Sequence, residues 1–247
     1  MSLVGAILGA ISGAIVGSFL ATLVIRLPRG EQAVVGRSRC DRCQHALGPL
    51  ELVPILSRLW LRGRCRACNA AIDPTHVQLE ICAAIVGAAA MWLAPDASGL
   101  ALALFGWLLL PLAWLDWRHL WLPDRLVLPL ALGGLAFGGL LGASLVDRII
   151  GGLTGWAALT LILLTYRLAR GREGLGHGDP KLLGAIGLWL GWMPLAPLLA
   201  LAAALGIAVA LARGLSRKDS LPFGTMLAIV AWPIAWSQLA YVPAILS

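Results

Sequence analysis

The chain has 247 residues, of which 60% are hydrophobic and 13% are charged, with a mean hydropathy of +0.86 and a formal net charge of +7. Soluble domains are about 45–50% apolar and about 25% charged, so this composition excludes an ordinary soluble enzyme and a disordered protein. We expect an all-α polytopic membrane protein, in which the excess of Lys and Arg marks the loops on one side of the bilayer rather than a nucleic-acid site.

The first predicted span covers residues 4–25. No Lys or Arg precedes it and Arg26 follows it, which favours a retained helix with its N-terminus outside over a cleaved signal peptide. Small residues recur at every fourth position of this span: Gly5, Gly9, Gly13 and Gly17. They either let a second helix pack closely or reflect how common Gly is in membrane helices.

Residues 26–78 hold nine Arg and four Cys and predict a small cytoplasmic domain. Its cysteines form two C-x2-C pairs separated by 21 residues: Cys40, Cys43, Cys65 and Cys68. Four thiolates at this spacing predict a structural zinc site in a zinc-ribbon-like loop, and two surface pairs without metal are the alternative. The fifth cysteine, Cys82, lies inside a span and is expected to pack there.

The rest of the chain predicts seven further spans. They cover residues 79–95, 99–115, 125–142, 147–167, 181–195, 197–212 and 223–242. The segment 181–212 has a second interpretation, as one bent or re-entrant element. The predicted organisation is therefore a first span (1–25), the cysteine domain (26–78) and a transmembrane core of about seven helices (79–247).

Basic residues set the predicted orientation. With eight spans, 18 of the 19 Lys and Arg lie in or beside loops on one side, and Arg148 is the exception. By the positive-inside rule this side is the cytoplasm. If the membrane is a bacterial inner membrane, the N-terminus lies in the periplasm, and the spans contact lipid.

Two acids at predicted cytoplasmic helix ends are candidates for catalysis. Asp116 ends an apolar run, and Asp179 follows Gly176 and Gly178 just before a span. Two carboxylates held together at low dielectric share one proton, as aspartyl proteolysis requires. The two glycines lack a Cβ, which lets a substrate backbone approach an acid closely.

Simpler interpretations of the two acids remain open at this point. Asp116 could be an interfacial acid paired with Arg118. Asp179 could pair with Lys181 or cap its own helix. In either case, we expect Lys181, like Gly176 and Gly178, to support the candidate site.

Other polar residues of the spans have ordinary explanations as well. Asp124 follows a Pro at a helix start, where backbone N–H groups satisfy an acid. Glu80 is interpreted as a snorkelling or salt-bridged acid. His119 and His177 lie close in sequence to the candidate acids, either as interfacial polar residues or as groups that tune them.

With these motifs in order, the chain resembles the type IV prepilin peptidases (leader peptidase/N-methyltransferases), which are GxGD-type aspartic proteases of the inner membrane. The resemblance rests on Gly17-Ser-Phe-Leu, Arg26-Leu-Pro28, the two cysteine pairs, Val53-Pro-Ile-Leu-Ser57, Asp116 with Leu122-Pro-Asp124, Gly176-His-Gly-Asp179 and Leu221-Pro-Phe-Gly224. It implies that Asp116 and Asp179 are the catalytic aspartates.

The resemblance also implies the substrate and a second activity. Such enzymes cut the short basic leader of prepilins or pseudopilins after a Gly at the cytoplasmic membrane face, and then methylate the new N-terminus with S-adenosylmethionine. No residue pattern in this chain indicates the methyl-donor site, and the oligomeric state stays open. The alternatives from the residues alone are an ion- or proton-coupled transporter and a non-catalytic scaffold of a secretion or pilus complex.

Three positions depart from the family pattern. Ala21 stands where Asn is common, Thr225 stands where Pro is frequent, and Pro180 follows Asp179. Ala21 bears on methylation, because residues near the first cytoplasmic loop have been tied to that activity in the family.

Overall fold

The computed structural model describes residues 2–32, 37–171, 176–215 and 219–246. Within these ranges the chain is helical, with short 3-10 turns and two isolated β-bridges. The helices are α1 (Leu3–Arg26), α2 (Leu56–Trp60), α3 (Thr75–Leu93), α4 (Ala97–His119), α5 (Asp124–Phe137), α6 (Leu145–Arg170), α7 (Gly178–Leu190), α8 (Leu195–Ala212) and α9 (Phe223–Leu246).

Seven of the described helices are long and apolar enough to cross a membrane, namely α1, α3, α4, α5, α6, α8 and α9. The all-α polytopic fold is therefore confirmed. The predicted span 181–195 differs, because it is α7, whose 13 residues are fewer than the ~20 that hydrocarbon requires. A break at Gly191 (φ 81°) separates α7 from α8, so the segment 181–212 is two helices rather than one bent element. Among the basic residues that set the predicted orientation, Arg172, Arg217 and Lys218 lie outside the described residues.

The chain forms two compact units, Met1–Pro95 and Asp96–Ser247. The first unit groups residues 79–95 with the predicted first span and the cysteine domain. Its helices α1 and α3 pack through the glycine stripe: a Cβ on Gly9 or Gly13 would collide with the carbonyl oxygen of Gly87 or Ala83. The stripe therefore serves close helix packing.

The second unit is built around α7. Ten of its 13 residues are buried, and it packs against α5, α6 and α9. Trp189 of α7 donates its indole N–H to the Leu130 carbonyl of α5 at 2.7 Å, and its ring lies 4.9 Å from that of Phe105 in α4. A helix this thoroughly enclosed by protein need not be long enough to match the bilayer.

Polar contacts mark both ends of this second unit. At one end, Arg148 of α6 donates to the Gly134 and Leu135 carbonyls near the end of α5, at 2.7 and 3.2 Å. The opposite end holds the last turn of α4 and the first turns of α5, α7 and α9. The predicted acids lie there.

Candidate active site

Asp116 lies in the last turn of α4. The helix ends three residues later, where Leu120 adopts a left-handed conformation (φ 51°) and donates its N–H to the Asp116 carbonyl. The side chain of Asp116 points into the unit, since the residue is 5% exposed. Arg118, its proposed partner, instead lies over the ring of Trp114.

Asp179 lies in the first turn of α7 and is 4% exposed. The Gly176 N–H donates to its Oδ2 at 3.1 Å. Asp179 is outside the seven helices that can span the membrane. Burial, with the negative charge of Asp116 as a second cause, raises the pKa of Asp179 to about 7. The carboxyl group is therefore half protonated near neutral pH.

The N-terminus of α9 holds both acids. The first amides of a helix have no intrahelical acceptor, and the helix dipole favours negative charge beside them. Gly224 donates its N–H to Asp179. Thr225 donates its N–H to Asp116 Oδ2 at 2.6 Å, and the Thr225 Oγ1 lies 3.0 Å from the same oxygen.

Gly224 also shows how close the two carboxylates are. A Cβ built on Gly224 would lie 3.1 Å from Asp116 Oδ2 and 3.1 Å from Asp179 Oδ1. The two oxygens thus lie within twice that distance of each other, across 63 residues of sequence. Water or a peptide carbonyl placed between them would contact both acids.

An ion pair braces this end of the unit. Lys181 of α7 donates to both carboxylate oxygens of Asp124 in α5, at 2.7 and 2.9 Å. Lys181 therefore binds Asp124, whereas a pairing of Lys181 with Asp179 was the sequence alternative. Both side chains are substantially exposed, so the pair contributes at most about 1 kcal/mol.

The two glycines of the GxGD motif are used differently. A Cβ on Gly176 would lie 3.1 Å from Asp179 Oδ2, whereas one on Gly178 would meet Leu122 Cβ at 2.6 Å. Gly176 thus leaves space beside the acid, and Gly178 lets the start of α7 pack on the α4–α5 loop. His119 and His177 are exposed.

Sequence reasoning missed the part played by α9. In the sequence, Gly224 belongs to a family motif and Thr225 departs from the family pattern, and neither was predicted to be a site residue. The free amides of a predicted helix start were the signal available in the sequence, but nothing in the sequence pairs that start with Asp116.

The four predicted metal ligands also come together, in the first unit. The Sγ atoms of Cys40, Cys43, Cys65 and Cys68 all lie within 4.8 Å of one another. The pairs Cys40–Cys68 and Cys43–Cys65 are 4.0 and 3.9 Å apart, too far for disulfide bonds. A tetrahedral zinc with bonds of about 2.3 Å sets its sulfurs about 3.8 Å apart. The residues therefore fit a zinc ion that all four thiolates would hold.

The two cysteine pairs lie on two separate backbone turns of the same type. Gln44 and Asn69 each adopt a left-handed conformation (φ 59° and 57°) one residue after the second cysteine of a pair. Each donates its N–H to the carbonyl of the first cysteine of its pair, Cys40 or Cys65, at 2.9 Å. This duplicated turn supports the interpretation of a preformed metal knuckle.

The remaining candidates in α3 have structural surroundings. Glu80 is 6% exposed, and its Oε2 accepts the Ile55 N–H at 2.7 Å. It is therefore a buried acceptor, and the snorkelling interpretation was wrong. Cys82 is half-buried on the same helix with a free thiol, outside the cysteine cluster.

Fold and site together define a class: a polytopic helical membrane protein with two buried aspartates at one end of a helical unit, the side-chain chemistry of aspartic hydrolases. Comparison with known proteins is more specific. A model of the bacterial peptidase A24 N-terminal domain matches residues 11–94, and a model of the type IV leader peptidase family matches residues 102–211. The chain belongs to the type IV leader peptidase family, which confirms the resemblance seen in the sequence.

Curated relatives cover most of the chain. The prepilin leader peptidase/N-methyltransferase of Aeromonas hydrophila is 43% identical over 206 residues, which are 81% of this chain and 71% of the relative. The protein of the same name from Burkholderia pseudomallei strain K96243 is 43% identical over 210 residues, 82% of this chain and 67% of the relative. The one from Pseudomonas aeruginosa is 37% identical over 207 residues, 81% and 71% of the two chains. No solved structure matches the chain significantly.

Proposed function

We propose that this protein is a membrane aspartyl endopeptidase that removes the leader of prepilins or pseudopilins and then methylates the new N-terminus. Family membership and the names of the relatives support the two activities and the substrate. The observation that carries the peptidase is the convergence of Asp116, from α4, and Asp179, from α7, on Gly224 of α9.

The two acids divide the chemistry of hydrolysis. Asp116 takes a proton from a water molecule, whose oxygen then attacks the scissile carbonyl. Asp179, whose raised pKa keeps it partly protonated near neutral pH, donates a hydrogen bond to the carbonyl oxygen. The proton held by Asp116 passes to the leaving amine as the C–N bond breaks, so the products are a carboxylic acid and an amine.

The cleavage position and the methyl donor come from the resemblance, whereas the orientation and the zinc come from the basic residues and the cysteine spacing. Cleavage follows a Gly at the cytoplasmic face of the bacterial inner membrane, and the N-terminus of the enzyme lies in the periplasm. S-adenosylmethionine supplies the methyl group, and a structural zinc stabilises residues 26–78. Since thiolates would fill all four zinc positions, this metal has no open site for catalysis.

Cleavage of a synthetic prepilin by the purified protein in detergent tests the proposal. We expect Asp116→Asn and Asp179→Asn each to lower kcat by at least about a thousandfold, because each removes a proton-transfer or carbonyl-polarising group. Asp124→Asn is the matched control, since it changes an exposed acid at the same end of the unit, and it should stay within a few-fold of wild type. Full cleavage by either dyad variant would refute the assignment of Asp116 and Asp179 as the catalytic pair.

Methylation needs a separate measurement. A precleaved peptide with a free N-terminal Phe, supplied with isotopically labelled S-adenosylmethionine, reports methyl transfer without proteolysis. The two dyad variants should methylate this peptide at the wild-type rate. Loss of methylation in both would place the aspartates in the second activity as well.

A further inference from the structure

An apolar segment of the first unit is exposed outside the long helices. Residues 50–60, here called the apolar loop, include the short helix α2 and present bare hydrophobic side chains. Leu50, Leu56, Leu59 and Trp60 are 66%, 60%, 70% and 77% exposed. With Val53 and Ser57 they line an open cavity of about 490 Å³. Apolar side chains this exposed in one place mark a contact surface.

Hydrogen bonds fix the depth of this loop relative to the spans. Ile55, in the middle of the loop, donates its N–H to Glu80 of α3 at 2.7 Å. The side chain of Ser18 in α1 also donates to Glu80. Ser18 lies eight residues before the end of α1, which is about 12 Å at 1.5 Å per residue. Ile55 therefore lies about two helical turns inside the end of α1.

At this depth, Ile55 lies within the hydrocarbon layer of the membrane. The 24 residues of α1 extend about 36 Å, against about 30 Å of hydrocarbon. Even if all of the length by which α1 exceeds the hydrocarbon projects on this side, a point 12 Å from the end of α1 lies inside the apolar layer. Irregular backbone is tolerated there where protein groups satisfy it, and Glu80 does this for Ile55. A carboxyl group buried between two spans thereby has a structural reason.

The charged side chain of α2 points away from the exposed apolar side chains of the loop. Arg58, within α2, turns its guanidinium to the Ile72 and Asp73 carbonyls at 3.4 and 3.1 Å, away from the hydrophobic side chains. Arg62, Arg64 and Arg66 follow directly in the chain, and a basic segment beside an apolar one complements anionic lipid headgroups. Trp60, at the end of α2, is of the residue type that concentrates at membrane interfaces.

We propose that the apolar loop inserts into the bilayer on the side where α1 ends and α3 begins, and that lipid acyl chains occupy its cavity. Exposed leucines then meet hydrocarbon, and the arginines that follow meet headgroups. The loop is a lipid contact of the first unit, independent of the aspartates. It gives residues 26–78 a membrane anchor in addition to their two flanking spans.

Site-specific photo-crosslinking in proteoliposomes tests this placement. The full-length protein, with p-benzoylphenylalanine in place of Trp60, is reconstituted in phosphatidylethanolamine with phosphatidylglycerol, irradiated and analysed by mass spectrometry. The positive control carries the same group in place of Leu8, which is 60% exposed on α1. The negative control carries it in place of His45, which is exposed beside the cysteine cluster. We expect acyl-chain adducts at positions 60 and 8 and at least about tenfold fewer at 45.

Several results would overturn the proposal. Adducts at position 8 with none at 60, headgroup adducts alone, or equal labelling at 45 and 60 would show that the loop does not insert. Crosslinks from position 60 to another part of the chain, or to added prepilin, would give the cavity a different occupant. Replacing phosphatidylglycerol with phosphatidylcholine should leave the acyl adducts in place.

A second measurement avoids the unnatural residue. Lipids brominated near the top of the acyl chain quench nearby tryptophans, so the quenching lost in Trp60→Phe isolates Trp60 from the other ten tryptophans. Glu80→Leu should reduce this quenching, because it removes the acceptor of the Ile55 N–H, while Glu80→Gln keeps an oxygen there and should retain it. Quenching unchanged by Trp60→Phe would contradict insertion.

Discussion

The backbone N–H of Thr225 lies 2.6 Å from Oδ2 of Asp116, although 109 residues separate them, and the Thr225 hydroxyl lies 3.0 Å from the same oxygen. Thr225 is 5% exposed, so water does not compete for these bonds. Its hydroxyl also lies 3.0 Å from the Ala113 carbonyl of α4. Thr225 therefore fixes the side-chain rotamer of Asp116, the proposed general base, and stabilises its negative charge.

Removing that hydroxyl should weaken catalysis without abolishing it. Thr225→Val keeps the side-chain shape and the backbone N–H but loses a hydrogen bond to a charged group, worth roughly 1.5–3 kcal/mol. We expect kcat to fall about tenfold to a hundredfold in prepilin cleavage, with KM little changed. Thr225→Ser keeps the hydroxyl and should stay within a few-fold of wild type.

Thr225→Pro removes both donors of this residue, so its comparison with Thr225→Val isolates the contribution of the backbone N–H. Pro is tolerated in the first turn of a helix, where its missing N–H has no intrahelical acceptor. The family often carries Pro here, so the variant should fold and should lose both bonds to Asp116. Equal activity of the Val, Pro and wild-type proteins across pH 5–8 would show that Thr225 does not position the acid.

Cleavage should fall on the alkaline side of neutrality. The pKa of Asp179 is raised to about 7, chiefly by burial and then by the charge of Asp116. Below that value the pair holds the shared proton, and above it Asp179 ionises and can no longer donate to the carbonyl. We expect kcat/KM to drop about tenfold per pH unit well above pH 7. A flat or rising profile between pH 7 and 9, with unfolding monitored in parallel, would contradict the assigned roles.

Asp179→Asn should stabilise the folded protein at alkaline pH, although it lowers cleavage. A folded pKa above the unfolded value means that folding favours the protonated acid, so the stability contribution is full at low pH and is lost as pH rises through about 7. The neutral amide avoids that loss. We expect its melting temperature to exceed that of wild type at pH 8 and the difference to shrink at pH 5, as measured by thermal unfolding in detergent. A constant difference would mean that the acid is not strained by ionisation.

The sequence predicted the long helices, the cysteine cluster and the placement of both acids at helix ends. These depend on local signals: hydropathy over ~20 residues, ligand spacing and isolated charges in apolar runs. The enclosure of α7 was not predictable in this way. Its 13 residues look like part of a span, and their burial depends on how α5, α6 and α9 surround them.

The duplicated cysteine turn shows a different limit. The spacing of the cysteines was visible, and Asn69 is of a residue type that adopts the left-handed conformation readily, but Gln44 is not. The sequence therefore did not show that the two pairs share one type of turn. Likewise, Thr225 looked like a departure from a family pattern. Its contact with Asp116 depends on tertiary packing alone.

Zinc loss should disrupt the first unit and spare the aspartates. Cys43→Ser removes one of four ligands, and we expect metal content to fall from one zinc per chain to nearly none, with residues 37–74 becoming sensitive to protease. Cys82→Ser is the matched control, because its thiol lies outside the cluster, and it should keep the metal. Elemental analysis and limited proteolysis measure both. A wild-type protein that purifies without metal and resists protease would rule out a structural zinc.

Gly224→Ala tests the space between the two acids directly. The added methyl would lie 3.1 Å from one oxygen of each carboxylate and 2.8 Å from Leu122 Cδ1, where a catalytic water or the peptide carbonyl must fit. Ala favours helix over Gly by roughly 0.5–1 kcal/mol, so α9 itself is not weakened. We expect cleavage to fall at least about a hundredfold while the melting temperature changes little. Gly139→Ala, whose methyl would meet only the flexible end of Arg148, is the control. Normal cleavage by Gly224→Ala would mean that the reacting carbonyl does not pass between Asp116 and Asp179.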